Sequence, residues 1–358
     1  MTSEPLPCKL HTVEQVLEWS GFTKYISTFN SDQVVVLTDT NVFNTCFHVW
    51  SEQAGFTPNA VIEINPGEAN KTLDTCNDVW KEMHRLRLTR NSLMICMGGG
   101  VVTDLGGFCA SVFKRGIRCI HIPTSLLGQV DAAIGGKTGV DQDWLKNMLG
   151  TFHLPVSVLL DTNFLFTLPE RHWANGFAEV IKHGLIADAP LWAELQNQPL
   201  PGQYNNKMSA LILRAATIKG IVIDQDPTEK GLRKILNFGH TFGHGIETVL
   251  LEKGYNILHG EAVVAGMQME ALLSLKLAGL DFREYNQITD WLRQQYGIID
   301  IPEELIPEII EKMTHDKKNI GNKISFSLLK QIGLAGYDYL VDDYDLLADI
   351  IRAYLKDL

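Results

Sequence analysis

Three groups of residues in this chain have types and spacings that could do chemistry. Gly98-Gly99-Gly100-Val-Val-Thr103-Asp104-Leu-Gly106-Gly107 follows an apolar run and opens onto a helical pattern. Glycines there would let backbone N–H groups approach a pyrophosphate seated at the positive end of that helix. The run departs from the G-x-G-x-x-G fingerprint, because Thr103 stands where the third glycine would be. A tight turn with close helix–sheet packing is the structural alternative. The second group is His240-Thr-Phe-Gly-His244, with His259 following. Imidazoles at i and i+4 share a helix face and could bind one metal ion, although one packing and one capping histidine would give the same spacing.

Glu179 and Lys182 stand one helical turn apart, so a carboxylate and an ammonium would project together. Their neighbours Phe177, Ala178, Val180 and Ile181 are too apolar for a solvated surface ion pair. The third group is a scatter of cations beside glycines, amides and carboxylates. It comprises Lys114-Arg115-Gly116, Asp131 with Gly135-Gly136-Lys137, Lys146-Asn147, Lys219, Arg233 to Asn237, and Asp316-Lys317-Lys318. A solvated surface explains most lysines by default. Lys137 directly after two glycines, and Arg233 just ahead of the histidine pair, fit that explanation least.

These residues need elements to position them. Residues 33–37 (QVVVL), 61–64 (VIEI), 93–97 (LMICM) and 119–122 (CIHI) read as buried strands, each followed by turn chemistry. A helix is expected over 72–84, and 158–160 is the last strand of the series. Strand–helix alternation predicts a parallel, doubly wound sheet. Beyond Pro169 the pattern turns helical, over 176–186, 208–223, 233–251, 259–277 and 282–296, with one late strand-like run at 323–329. The expectation is an α/β domain over residues 1–168 followed by a mostly helical domain over 169–358.

Composition agrees with two domains, since 358 residues exceed the roughly 100–200 of one domain. With 45% hydrophobic and 20% charged residues, the chain reads as globular. Its formal charge of −11 repels nucleic acid and anionic membranes, yet leaves room for a local basic pocket that holds a small anion. The six cysteines form no CxxC pair, so reduced thiols and a cytoplasmic setting are expected. Neither a signal peptide nor a transmembrane helix is expected, because no apolar run is long enough.

Several motifs occur in one order over residues 98–319: GGGVVTDLGGF, FKRG, IPTSLLGQVDAAIGGKTGV, KNMLGTF, FAEVIKHGLI, RKILNFGHTFGH, HGEAV and HDKKN. Together with GEANKT at 67–72, they make the chain resemble the 3-dehydroquinate synthase family of sugar-phosphate cyclases. The resemblance implies an N-terminal Rossmann-like NAD domain, a helical domain carrying a divalent metal (zinc or cobalt), and a homodimer. It implies a lyase of the shikimate pathway, acting in aromatic amino acid biosynthesis. Such an enzyme converts 3-deoxy-D-arabino-heptulosonate 7-phosphate to 3-dehydroquinate and phosphate. The steps are oxidation by NAD, phosphate elimination, re-reduction, ring opening and aldol closure.

The implied metal ligands are Glu179, His240 and His259, with His244 instead contacting substrate and moving protons. Glu229 matches a proton acceptor, and Lys182 a catalytic position. Implied substrate contacts are Arg115, Asp131, Lys137, Asn147, Lys182, Lys219, Arg233, Asn237, His244 and Lys318. Implied NAD contacts are Asp39, Asn41, Glu68, Lys71, Gly99, Gly100, Val101, Asp104, Thr124, Ser125, Lys146, Phe164 and Thr167. Three positions depart from the family pattern: Thr103 for glycine, Ser125 for threonine, and Asp141 for asparagine, which adds negative charge near Lys137 and Lys146. Another sugar-phosphate cyclase is the main alternative, and retention of Lys137, Lys219, Arg233 and Asn237 favours the shikimate substrate. A metal-dependent alcohol or glycerol dehydrogenase would release NADH and need no phosphate clamp.

Overall fold

The computed structural model describes residues 13–16, 18–142, 145–197, 204–315, 319 and 321–356. The chain forms two compact units, Met1–Trp173 with Gln203–Asp224, and Ala174–Gly202 with Gln225–Leu358.

In the first unit the strands are β1 (Val13–Gln15), β2 (Val34–Asp39), β3 (Ala60–Ile64), β4 (Leu93–Gly98) and β5 (Arg118–Pro123). A hairpin follows, β6 (Lys137–Gln142) and β7 (Leu145–Phe152), and then β8 (Ser157–Leu160). Six of them make a parallel sheet in the order β1-β8-β5-β4-β2-β3. Both faces of the central strands are apolar, which is why they read as continuous runs rather than alternating ones. Val35, Leu37, Met94 and Cys96 face α1 (Leu73–Arg85) and α2 (Gly100–Val112). Val34, Val36, Leu93, Ile95 and Met97 face Phe22, Phe47 and Trp50. Since β3 and β4 flank β2 on opposite sides, the order reverses there, and such a reversal opens a crevice at the carboxyl ends of the strands.

The unit boundary falls in the first turn of α3 (Glu170–Ala187), but α4 (Ser209–Gln225) returns to the first unit. A single division at 168 does not anticipate this return. Ala216 and Ile223 of α4 pack with Val158 and Leu160 of β8, and Lys219 bonds to Asp131. Helical periodicity announces a helix without saying which core will receive its apolar face.

The second unit contains α5 (His240–Glu252), α6 (His259–Leu277), α7 (Phe282–Tyr296) and α8 (Ile306–Thr314). The antiparallel pair β9 (Ile324–Gln331) and β10 (Leu334–Val341) follows, then α9 (Tyr344–Leu355). Phe242, Ile246, Met269, Leu273, Phe326, Leu347 and Ile351 share its core. The expected helix over 233–251 is broken. Leu232–Asn237 is a 3-10 turn, Gly239 takes φ +81, and α5 starts at His240. The two helices approach so closely here that a Cβ on Gly266 would lie 1.9 Å from the Gly239 carbonyl oxygen. The strand β10 and the β6–β7 hairpin were not expected. Register shifts interrupt the pairing of β10, so its sequence lacks strict alternation. Among the described residues no helix is long and apolar enough to cross a membrane.

Candidate active site

The apolar turns of α3 carry Glu179 and Lys182 into the interior, where the side chains are 0% and 1% exposed and form an ion pair. Glu179 Oε1 lies 3.5 Å from His240 Nε2 and 3.8 Å from His259 Nε2. Apart from the Lys182 ammonium at Oε2, the oxygens of this carboxylate meet no hydrogen-bond donor among the described residues. The Nδ1 atoms point elsewhere: that of His240 to the Phe238 carbonyl, and that of His259 to Glu247 Oε2, each at 3.1 Å. An acceptor at Nδ1 keeps the ring proton there and leaves the Nε2 lone pair for the centre. One carboxylate and two such imidazoles fit a divalent ion with positions left open for other oxygens. Burial, and then the Glu179 carboxylate, push the Tyr296 phenol well above its ordinary range.

His244 is exposed on the next turn of α5, and offers a nitrogen within 4.8 Å of those of His240 and His259. The i, i+4 spacing does bring both imidazoles to one place. It is His240 and His259 that Glu179 approaches.

After α4, Asp226 shapes the chain. Its carboxylate accepts from the N–H groups of Lys230, Gly231 and Arg233 at 3.0, 2.7 and 3.0 Å. Burial would raise this carboxyl, but the backbone donors outweigh it and hold it below its ordinary value. The loop puts Glu229 at φ +60, a conformation that costs a residue other than glycine about 1 kcal/mol. Asn237 Nδ2 donates to Glu229 Oε1 at 2.8 Å, and buried Arg233 donates to the Pro227 carbonyl at 2.7 Å.

In the first unit Asp39 ends β2, and its carboxylate accepts the Val42 N–H at 3.0 Å. Gly99 caps α2 without a side-chain bond, so the amides at the start of that helix face the end of β4 with the positive pole of the helix behind them. Thr103 stands in for glycine by turning its hydroxyl to the Gly100 carbonyl, 3.1 Å away. The Thr124 N–H donates to the Gly98 carbonyl at 2.9 Å, tying β5 to β4, and Ser125 Oγ accepts from Gly128 N–H at 3.2 Å.

Lys71 is buried and donates to Asp104 Oδ2 at 2.8 Å and Asn147 Oδ1 at 2.7 Å, with Glu68 3.6 Å away. Burial would strip its proton, but the carboxylates of Asp104, Glu68 and Asp141 outweigh that effect and raise its pKa. Burial pushes the Asp104 carboxyl up while Lys71 pulls it back. Both partners thus shift upward. The direction at Lys71 governs the pair, because three carboxylates face one ammonium. Asp141 Oδ1 accepts the Asn147 N–H at 2.7 Å, a bond that asparagine could also make. The negative charge added by Asp141 therefore leaves the hairpin intact and acts on Lys71. Lys219 Nζ donates to Asp131 Oδ1 at 2.6 Å and to its carbonyl at 2.7 Å.

Arg115 is exposed in the turn Phe113–Arg115, Lys137 at the head of β6 and Asn41 in Thr40–Val42, while Val101 lies in the first turn of α2. Phe164 packs on Trp19 with ring centroids 6.2 Å apart, and the Thr167 hydroxyl donates to the Phe164 carbonyl at 3.1 Å. Lys318 lies outside the described residues, as does the side chain of Lys146. Sequence reasoning missed Asp226, Glu247 and Glu270. A lone carboxylate in the apolar run MQMEALL was the available signal for Glu270.

Two solved structures share this architecture. One is 2-deoxy-scyllo-inosose synthase complexed with carbaglucose-6-phosphate, NAD+ and Co2+, with a TM-score of 0.82 and 26% identity over 94% of each chain. The other is 2-epi-5-epi-valiolone synthase from Streptomyces hygroscopicus with NAD+ and Zn2+ bound, with a TM-score of 0.81 and 25% identity over 100% of both chains. With a parallel sheet that reverses at β2 in one unit and a His/His/Glu cluster in the other, this chain has the fold of these two synthases. The 3-dehydroquinate synthase N-terminal model matches residues 61–175, and the C-terminal model residues 176–319. The 3-dehydroquinate synthase of Parabacteroides distasonis is 38% identical over 314 residues, 88% of this chain and 89% of its own. The chain belongs to the 3-dehydroquinate synthase family.

Proposed function

We propose that the chain is a carbon–oxygen lyase that converts 3-deoxy-D-arabino-heptulosonate 7-phosphate to 3-dehydroquinate and phosphate. It uses NAD and a divalent metal, zinc or cobalt, and returns the NAD unchanged. The observation that carries this reading is the convergence of Glu179 Oε1 with the Nε2 atoms of His240 and His259. The crevice beside Gly99 and Gly100, and the NAD+ held by two structural relatives, support the cofactor.

When bound at these sites, the ion supplies Lewis acidity toward a substrate hydroxyl and NAD supplies a hydride acceptor. The rest falls to the chain's own side chains. Arg233 brings a guanidinium fork suited to the substrate carboxylate. Lys182 holds a substrate oxygen near Glu179. Glu229, bonded to Asn237, accepts a proton, and His244 exchanges protons with substrate and solvent. Lys71 and Asp104 hold NAD together with the amides at the start of α2. The remaining expected contacts stand in the proposal unchanged: Arg115, Asp131, Lys137, Asn147, Lys219 and Lys318 for substrate, and Asp39, Asn41, Glu68, Val101, Thr124, Ser125, Lys146, Phe164 and Thr167 for NAD. A homodimer in the cytoplasm completes it.

The test incubates the protein with NAD, Zn2+ or Co2+ and the heptulosonate phosphate, and measures inorganic phosphate. Release that requires all three is expected, with none from glucose 6-phosphate. Release from glucose 6-phosphate instead would favour an inosose-type cyclase, and release from neither would overturn the proposal.

A further inference from the structure

Two buried carboxylates outside the ligand set cross between α5 and α6 in opposite directions. Glu247, on α5 and 2% exposed, places Oε2 3.1 Å from Nδ1 of His259, the first residue of α6. Glu270, on α6 and 0% exposed, reaches the start of α5, where His240 is the first residue. Its Oε2 accepts from Gly239 N–H at 2.6 Å, and its Oε1 from Thr241 and Phe242 N–H at 3.0 and 3.3 Å. A carboxylate this deep is costly unless donors satisfy it. An apolar side chain would fill the same helix–helix contact, so the charge is explained by what it bonds.

We propose that Glu247 and Glu270 are positioning residues that form a reciprocal clasp, in which each helix sends a carboxylate to the ligand-bearing end of the other. His259 and His240 are thereby set before the metal arrives. This inference rests on the metal reading above. Glu247 keeps the His259 proton on Nδ1 and fixes the ring. Glu270 fixes the left-handed Gly239 and the first amides of α5. The Phe238 carbonyl, on the other side of that glycine, then meets His240 Nδ1. Outer contacts of this kind change metal affinity by about 10- to 100-fold.

The test measures Zn2+ affinity by competition with a chromophoric chelator, together with the visible spectrum of the Co2+ form and the melting of the metal-free protein. Glu247→Ala and the space-filling Glu247→Leu are expected to weaken Zn2+ binding about 10- to 100-fold and to shift the cobalt bands. Glu247→Gln, whose amide oxygen still accepts from Nδ1, is expected to restore most of the affinity. Glu270→Gln turns an N–H donor toward the start of α5, and is expected to lower both the metal-free melting temperature and the Zn2+ affinity of the folded protein. A folded Glu247→Ala or Glu247→Leu protein with unchanged Zn2+ affinity and cobalt spectrum overturns the clasp and leaves the metal reading intact. An unaltered chain that binds neither ion overturns the metal reading, and the clasp with it.

Discussion

Glu179 and Lys182 are three residues apart on one helix and both buried, so neither charge is explained by solvent. The two imidazole nitrogens beside Glu179 give a donor set that fits a divalent metal ion. His259→Ala is therefore expected to lose the bound metal while His244→Ala keeps it, measured as metal per chain after desalting. Equal loss in both would overturn the ligand assignment. Lys71 gives a second prediction at this scale. Removing one partner of a buried ion pair costs about 3–5 kcal/mol. Because the Asp104 side chain keeps 19% exposure, Lys71→Met should lose an amount near the lower end, read from urea unfolding. An unchanged unfolding midpoint would contradict it. Glu179, His240, His244 and Arg233 were legible in the sequence because a carboxylate, imidazoles and a guanidinium in apolar or glycine-rich settings have few uses. Glu247, Glu270 and Asp226 were not, because their work is to bond distant or backbone groups that no local spacing announces.

The elements were legible where periodicity is strong and misread where a tertiary contact overrides it. Residues 233–251 carry helical spacing throughout, yet the chain breaks at Gly239, which takes φ +81 in close contact with Val263 and Met267 of α6. The expected effect of Gly266→Ala follows from that contact. In an exposed helix the change would stabilise by about 1 kcal/mol. Here the new Cβ would sit 1.9 Å from the Gly239 carbonyl oxygen and 2.8 Å from Gly243 N. A loss of about 1–3 kcal/mol is expected instead, seen as a lower melting temperature. A gain in stability would show that α5 and α6 are not locked at this point.

For the whole molecule, the acidic balance describes the surface and conceals the cations that matter. Lys71, Lys182, Lys219 and Arg233 are all buried, and such charges persist only where partners or ligands meet them. The alternation of strands and helices predicts the parallel sheet, whereas the return of α4 to the first unit depends on contacts between residues far apart in sequence. The central claim is a reaction in which NAD is used and given back. It is tested most directly by supplying NAD far below the concentration of the heptulosonate phosphate and measuring dehydroquinate, phosphate and NADH absorbance together. Complete conversion is expected, with one phosphate per dehydroquinate and no accumulating NADH. Turnover that stops when the NAD is consumed, with NADH building up in its place, would contradict it.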